Sequence, residues 1–540
     1  GYAPRSDTPR ELLFPNSLMS TGRETGEWSC ARKVLGEAAF FWACRLEHGA
    51  IFSSFRNQPA MRLRILIRPA ACMIAACVIM DHVSRADLPA TPNIIFILAD
   101  DLGFAEVGAN RADNYTTPNI DLLAEQGIRF TRFYTAPLCG PSRALILTGR
   151  YAFRTGAVSQ DACGSLIRTG AQAEVMVPMV LKQAGYTSGM VGKWGQILAS
   201  GTAAEWGFDD TMSFRASGIY WTRPAAARRI EMYGLAGDKD GEQGVRGSPG
   251  PYTINEQKLL MTDDQYMPDI MHASAVDFVN AHKDSPFFLY YSLSQVHSQI
   301  LPTPDSLPPD ITASATTRYN QIYADNVSYM DKLVGKLLDE LTRLGLRENT
   351  VVFFMGDNGT AKANADRATI GGRRLIGQKG GMEEGGGLVP LIVCWPGVTP
   401  PGQVNANPAD ASDLLPTFAE LAGAPVPQDR VIDGKSLVSQ IQGGTDSPRT
   451  WAFTQLGGHW HLRDASWKLN EVGQLYDMRN APFEEIPVPA DSKETTALAA
   501  RHRLSGALAD LNPGAGFRGA GDGRSAKKQK PPGKSATRAK

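Results

Sequence analysis

Two pairs of oxygen-bearing residues, Asp100-Asp101 and Asp357-Asn358, each follow an apolar run, P-N-I-I-F-I-L-A at 92–99 and T-V-V-F-F-M at 350–355. A short continuous apolar run of this kind predicts a strand buried on both faces. Open α/β sheets build their sites at the carboxyl ends of strands, so the spacing predicts that the two pairs meet there. Together they offer only oxygen ligands, which suits Ca²⁺ or Mg²⁺ and not a thiol-seeking metal. Either pair alone reads equally well as a helix cap or a turn. Two such pairs, each after an apolar strand, point to a cation site.

Cys139 opens the run C-G-P-S-R-A-L-I-L-T-G-R, which ends at Arg150. Pro141 marks a helix start, and the amino terminus of such a helix aims amide donors at Cys139 and at any anion beside it. Read alone, the cysteine is also a small buried residue in a Pro turn. Arg143 lies four residues on, within reach of nearby carboxylates. Lys193 sits in V-G-K-W after a predicted strand, Lys379 in G-Q-K-G before E-G-G, and His297 after the apolar run 286–293. Taken singly, these three are ordinary polar residues. The glycine-rich stretch around Lys379 lacks the G-K-[ST] ending of a nucleotide loop, which excludes that reading.

The elements that must position these residues alternate. Strands are predicted at 92–99, 186–191, 286–293, 350–355 and 388–395. A helix is predicted from Thr117-Pro118 through Glu125, with Thr as N-cap, Pro at the first helical position and Gly127 beyond. A longer one over 319–344 carries Ile322, Met330, Leu333, Leu337, Leu341 and Leu344 at helical spacing and stops at Gly345. Strands alternating with helices imply an α/β fold, a mixed and mostly parallel sheet flanked by helices. Residues 211–267 are polar and Gly-rich and read as an insertion near the site, and 396–408 as a loop. From about Trp451 short segments, among them D-A-S-W-K-L at 464–469 and Q-L-Y-D at 474–477, predict a smaller C-terminal domain with an antiparallel sheet and a closing helix.

The Cys139 run resembles the C-x-P-S-R…T-G-R signature of the type I sulfatases, of the alkaline phosphatase superfamily. The resemblance spans about 92–485, with its motifs in family order. It implies that a maturation enzyme oxidises Cys139 to formylglycine, whose hydrate attacks sulfur through one oxygen and later expels sulfate through the other. It further implies that Asp100, Asp101, Asp357 and Asn358, with the residue derived from Cys139, hold Ca²⁺ (or Mg²⁺). Lys193 and Lys379 would clamp the sulfate, and His297 would help protonate the leaving oxygen. Arg143 would stabilise the hydrated aldehyde or bind the ligand carboxylates. The family fold has a large α/β domain and a smaller domain around a four-stranded antiparallel sheet.

Two departures stand out. The family commonly reads G-K-W-H where this chain has Gly192-Lys193-Trp194-Gly195-Gln196. The missing histidine normally contacts the nucleophile. Gln196 can hydrogen-bond but cannot serve as a base near neutral pH, which leaves His459 or His461 to supply one. The family's E-G-G-x-R-V-P has Leu388 in place of arginine, a loss read as structural. The implied activity is hydrolysis of a sulfated carbohydrate or aryl sulfate. The alternatives are a phosphate or phosphonate monoester hydrolase on the same fold, and a catalytically weak binder of sulfated glycans.

With 540 residues, 43% of them hydrophobic, the chain can bury a large core in roughly two to four domains. Its 55 basic and 55 acidic side chains cancel, which argues against nucleic acid as a partner. Four of the seven cysteines precede residue 80, leaving Cys163 and Cys394 to pair or stay free. From Met61 a positive region (Arg62, Arg64, Arg68), an apolar run at 69–80 and small residues at Ala86 and Ala90 read as a secretory signal peptide. That run is too short for a comfortable membrane span. The expected division is therefore an upstream extension (1–60), a signal peptide (61–90), the catalytic domain (91–445), a small α+β domain (446–513) and a basic, disordered tail (514–540). The mature chain would be secreted or periplasmic, without a transmembrane helix. Ile74-Ala75-Ala76-Cys77 resembles a lipoprotein cleavage site, but apolar residues continue past Cys77, which argues against anchoring.

Overall fold

The computed structural model describes residues 91–170, 172–214, 220–235, 252–297 and 300–515. The chain divides into two compact units, Gly1–Val83 and Ser84–Lys540, and every described residue belongs to the second. The expected extension and signal peptide, and the tail beyond 515, lie outside the described residues.

Ten strands make the large sheet: β1 (Asn93–Ala99), β2 (Ile128–Phe130), β3 (Thr187–Lys193), β4 (Asp210–Phe214), β5 (Thr253–Ile254), β6 (Gln257–Lys258), β7 (Phe287–Leu293), β8 (Thr350–Gly356), β9 (Leu391–Cys394) and β10 (Gln403–Asn405). Their order is β10-β2-β9-β8-β1-β7-β3-β4-β5-β6. The centre, β8-β1-β7-β3-β4, is parallel. Strand β9 joins β8 antiparallel, and the hairpin β5–β6 closes the other edge.

The apolar runs behave as double-faced strands must. Ile94, Phe96 and Leu98 of β1 enter one core, with Phe353 and Phe418. Ile95, Ile97 and Ala99 enter the other, with Phe354 and Leu333. Helices α1 (Pro118–Glu125), α2 (Cys139–Thr148), α3 (Arg223–Met232), α4 (Met267–His282), α5 (Ala315–Arg343) and α6 (Leu414–Ala422) surround the sheet. Residues of α2 and α6 line the first core, and those of α4 and α5 the second. The 29-residue α5 begins where Ser314 accepts the Thr317 amide at 3.1 Å and ends just before Gly345, at φ +70°.

A second sheet holds β11 (Ala452–Leu456), β12 (His459–Arg463), β13 (Trp467–Asn470), β14 (Leu475–Asp477) and β15 (Ile486–Pro487), antiparallel throughout, followed by α7 (Thr495–Leu511). It has five strands where four were expected, because Ile486 and Pro487 pair with Asp477 and Tyr476.

Three further readings are corrected. Residues 211–214 are not insertion: they form most of β4, paired with β3, and their polar Thr211 and Ser213 hid the strand pattern. The expected loop 396–408 contains β10, which pairs with β2. The strand predicted over 388–395 starts only at Leu391, since Pro390 has no N–H for the ladder. No helix among the described residues is long and apolar enough to cross a membrane.

Candidate active site

Four parallel strands deliver their carboxyl ends to one place. The register sets Ala99 between Leu293 and Gly356. The next amides extend the ladder, Asp100 N donating to Leu293 O at 2.8 Å and Asp357 N to Ala99 O at 2.9 Å. Asp100, Asp101, Asp357 and Asn358 are thereby brought together, as expected. Lys193 is the last residue of β3. Its neighbour Gly192, at φ +112°, lies so close to β7 that a Cβ there would stand 2.1 Å from Ser292 O. Only glycine fits.

Cys139 is the first residue of α2 and is 2% exposed. Its Sγ stands 3.5 Å from Lys193 Nζ. That ammonium reaches Asp100 Oδ2 at 2.6 Å. One oxygen each from Asp100 and Asp357 lies with Cys139 Sγ in a group spanning less than 4.8 Å.

Arg143, one turn along α2, is wholly enclosed. Its Nε and Nη2 donate to Asp357 Oδ2 at 3.0 and 2.9 Å, and its Nη1 to Lys193 O at 2.7 Å and Ser292 Oγ at 2.6 Å. Arg143 therefore binds the Asp357 carboxylate. Asp357 Oδ1 accepts the Asp101 amide at 3.0 Å, and Asn358 Nδ2 donates to Asp101 Oδ1 at 2.9 Å. Asp101 itself sits at φ +64°, a conformation that costs a non-glycine residue energy. Lys379 and His297 close the far side. Lys379 Nζ lies 2.5 Å from Asp101 Oδ1 and 3.4 Å from His297 Nε2, and His297 Nε2 lies 3.6 Å from Asp101 Oδ2.

Electrostatics follows from this packing. Burial works to raise the Asp100 carboxyl, but Lys193, His297 and Arg143 together hold it well below the usual carboxylate range. Asp357 moves the other way, pushed up by burial and then by the charge of Asp100. Burial depresses the His297 imidazole, and the charges of Asp100 and Asp101 oppose that shift. Lys193 and Lys379 stay firmly protonated: burial opposes this, but Asp100 and Asp101 outweigh it.

Among the described residues, the buried oxygens Asp100 Oδ1 and Asn358 Oδ1 have no hydrogen-bond partner. Leaving such atoms unsatisfied costs about 1–3 kcal/mol each. Both belong to the expected oxygen-ligand set, so the residues fit a hard divalent cation.

Sequence reasoning missed two contacts. Ser292 receives Arg143, and its one signal was a polar residue inside an otherwise apolar strand. Gln160 Nε2 donates to Cys139 Sγ at 3.0 Å, and no motif marked it. The suggested replacement bases lie on the small sheet: His459 pairs with Glu471 at 2.6 Å, and His461 is buried, its imidazole depressed by desolvation and then by Lys468 and Arg463. Neither is among the groups found on Cys139. The side chain of Gln196 lies outside the described residues. Leu388, where the family has arginine, is buried, and Glu384 accepts from Arg463 at 3.1 Å and the Tyr134 hydroxyl at 3.0 Å. Cys163 and Cys394 are both free. Cys163 donates to Ser159 O at 3.2 Å, and Cys394 accepts from Arg347 at 3.0 Å.

Residues 92–424 match the family model described as Sulfatase. The chain is 32% identical over 454 residues to human arylsulfatase D, covering 70% of this chain and 74% of that protein. It is 34% identical over 383 residues to N-acetylgalactosamine-6-sulfatase of Canis lupus familiaris, covering 67% and 69%. The crystal structure of Ps i-CgsB superposes with a TM-score of 0.63 at 29% identity, over 78% of this chain and 92% of that one. With the large mixed sheet, the separate antiparallel sheet and the clustered motif residues, these matches show that the chain belongs to the sulfatase family, sulfuric ester hydrolases of the alkaline phosphatase superfamily.

Proposed function

We propose that this sulfatase acts through formylglycine derived from Cys139, with Ca²⁺ (or Mg²⁺) held by Asp100, Asp101, Asp357, Asn358 and residue 139. Its substrate is a sulfated carbohydrate or an aryl sulfate. The observation that carries the reading is the packing of Cys139 against Lys193, Asp100 and Asp357 at the strand ends. The cation, when bound, supplies positive charge to the sulfate oxygens.

The chain's own groups then divide the work. The amino terminus of α2 and the Lys193 ammonium favour negative charge at position 139. Arg143 keeps Asp357 turned toward the site. Lys193 from one side and Lys379 from the other neutralise the sulfate. His297, beside Lys379, is placed to hand a proton to the departing alcohol oxygen.

The same reading has a secreted or periplasmic destination directed by the segment from Met61, and a formylglycine-generating enzyme as maturation partner. Residues 91–445 form the catalytic domain, 446–513 the small domain and 514–540 the tail.

The mass of the tryptic peptide 133–143, from protein made in a host that matures sulfatases, tests the nucleophile. Conversion replaces the CH₂SH of Cys139 by an aldehyde, with a definite loss of mass. A peptide that keeps its thiol in such a host would overturn the hydrolytic reading. Side-by-side rates on matched sulfate and phosphate monoesters test the ester. Sulfate is expected to win, because the chain's matches are to sulfatases. A faster phosphate reaction would reassign the substrate.

A further inference from the structure

The turn that follows the lysine strand carries no imidazole. It runs Gly195–Ala199, and Gly195 has φ +75°. A side chain on that backbone is strained, so the conformation suits the glycine that stands there. The turn packs against α2 and against a second turn, Asp161–Ser165; a Cβ on Gly164 would fall 2.7 Å from Ala199 Cβ. From the start of that second turn, Gln160 reaches the nucleophile position.

Both ends of the Gln160 amide are engaged. Its Oε1 accepts the Gly140 N–H at 3.0 Å, and its Nε2 donates to Cys139 Sγ at 3.0 Å. The backbone N–H can only donate, so the atom facing it must be oxygen, and the NH₂ must face Sγ. The seat is close: a Cβ on Gly140 would stand 3.0 Å from both Gln160 Oε1 and Cys163 Sγ. Cys163 in turn ties this segment to itself by donating to Ser159 O. These two contacts fix the plane of the amide and so the direction in which its N–H meets position 139.

We propose that Gln160 positions the nucleophile, its amide N–H holding the oxygen that residue 139 carries after conversion while its carbonyl is locked on Gly140. The inference rests on the formylglycine reading, with Cys139 Sγ standing for that oxygen. Lys193 and Gln160 then grip position 139 together. An amide does not titrate near neutral pH, so Gln160 orients the nucleophile and takes no proton from it.

The test uses the converted full chain and two variants. Gln160→Glu keeps an acceptor for Gly140 but, ionised at pH 8, offers residue 139 no N–H. Gln160→Met keeps the length and makes neither bond. With 4-nitrophenyl sulfate at pH 8, both should lower kcat about 10- to 100-fold with KM within about threefold, as expected for the loss of one oriented donor. A readout apart from turnover is capture of the aldehyde by an aminooxy probe. Gln160→Met should form oxime several times faster than wild type, because the hydrate has lost its partner.

Gln160→Glu with wild-type kcat overturns the assignment, whatever Gln160→Met does. Equal oxime rates in wild type and Gln160→Met also overturn it. Should Gln160→Met fail to fold, Gln160→Glu decides. A wild-type chain whose 133–143 peptide keeps the thiol mass holds no aldehyde, and overturns the formylglycine reading and this one together.

Discussion

Arg143 grips Asp357 by one oxygen only: Nε and Nη2 both point at Oδ2, leaving Oδ1 for the Asp101 amide. A buried ion pair of this kind is costly to break from one side, about 3–5 kcal/mol. Arg143→Ala should therefore lower the melting temperature markedly and abolish turnover. Arg143→Lys keeps the charge but loses the planar fork. It should recover most of the stability while kcat stays at least about 10-fold down. A lysine variant with full kcat would show that charge alone suffices.

The two lysines should separate kinetically. Lys193 is 1% exposed and touches both Asp100 and Cys139, whereas the Lys379 side chain is 19% exposed. Lys193→Ala is expected to cut kcat/KM about 100- to 1,000-fold, chiefly through kcat. Lys379→Ala should raise KM more than it lowers kcat. Identical kinetic signatures would contradict the division of labour argued above.

Cation binding should be visible without any substrate. A ligand that binds only the folded state stabilises it by about 2.7 kcal/mol at 100 times its Kd. Chelator should lower the melting temperature, and Ca²⁺ should restore it. Asn358→Ala, which removes a buried oxygen that has no hydrogen-bond partner among the described residues, should blunt that response. A melting temperature indifferent to both chelator and Ca²⁺ would count against the site.

Glu106 predicts a pH signature in stability. It is buried, accepting from Tyr323, Gly103 and Thr360, and burial raises its carboxyl from 4.5 to about 7 despite those bonds. Between those values the folded state binds more protons than the unfolded one, so the protonated group's contribution is complete below 4.5 and is lost as pH rises through 7. Glu106→Gln cannot ionise. Its melting temperature should fall closest to wild type, or below it, at pH 5, and gain on wild type by pH 8. A constant gap across that range would refute the shift.

Much of this was legible in the chain itself. Runs such as N-I-I-F-I-L-A show no polar face, as a strand buried on both sides requires. Asp100-Asp101 and Asp357-Asn358 directly continue two such strands, so parallel pairing alone carries them to one edge. The C-x-P-S-R run, with the motifs around Lys193, His297 and Lys379 in family order, carried the resemblance to the sulfatases before any coordinate. Strand β4 was hidden because Thr211 and Ser213 interrupt the hydrophobic pattern, and its pairing with β3 is a tertiary fact.

What only the tertiary structure decided is how side chains far apart in sequence meet. Arg143 could have faced solvent, the nucleophile or a carboxylate, and the fold turned it onto Asp357. Ser292 and Gln160 lie in no motif. They matter because β7 runs beside β3 and the turn after Gln160 packs on the turn after Trp194. The sequence by itself determined the central apolar strands, the helix beginning at Pro118 and the chemistry of each group, since these rest on local pattern and residue type. Partners within hydrogen-bond reach depend on strand order and loop packing, which no local pattern encodes.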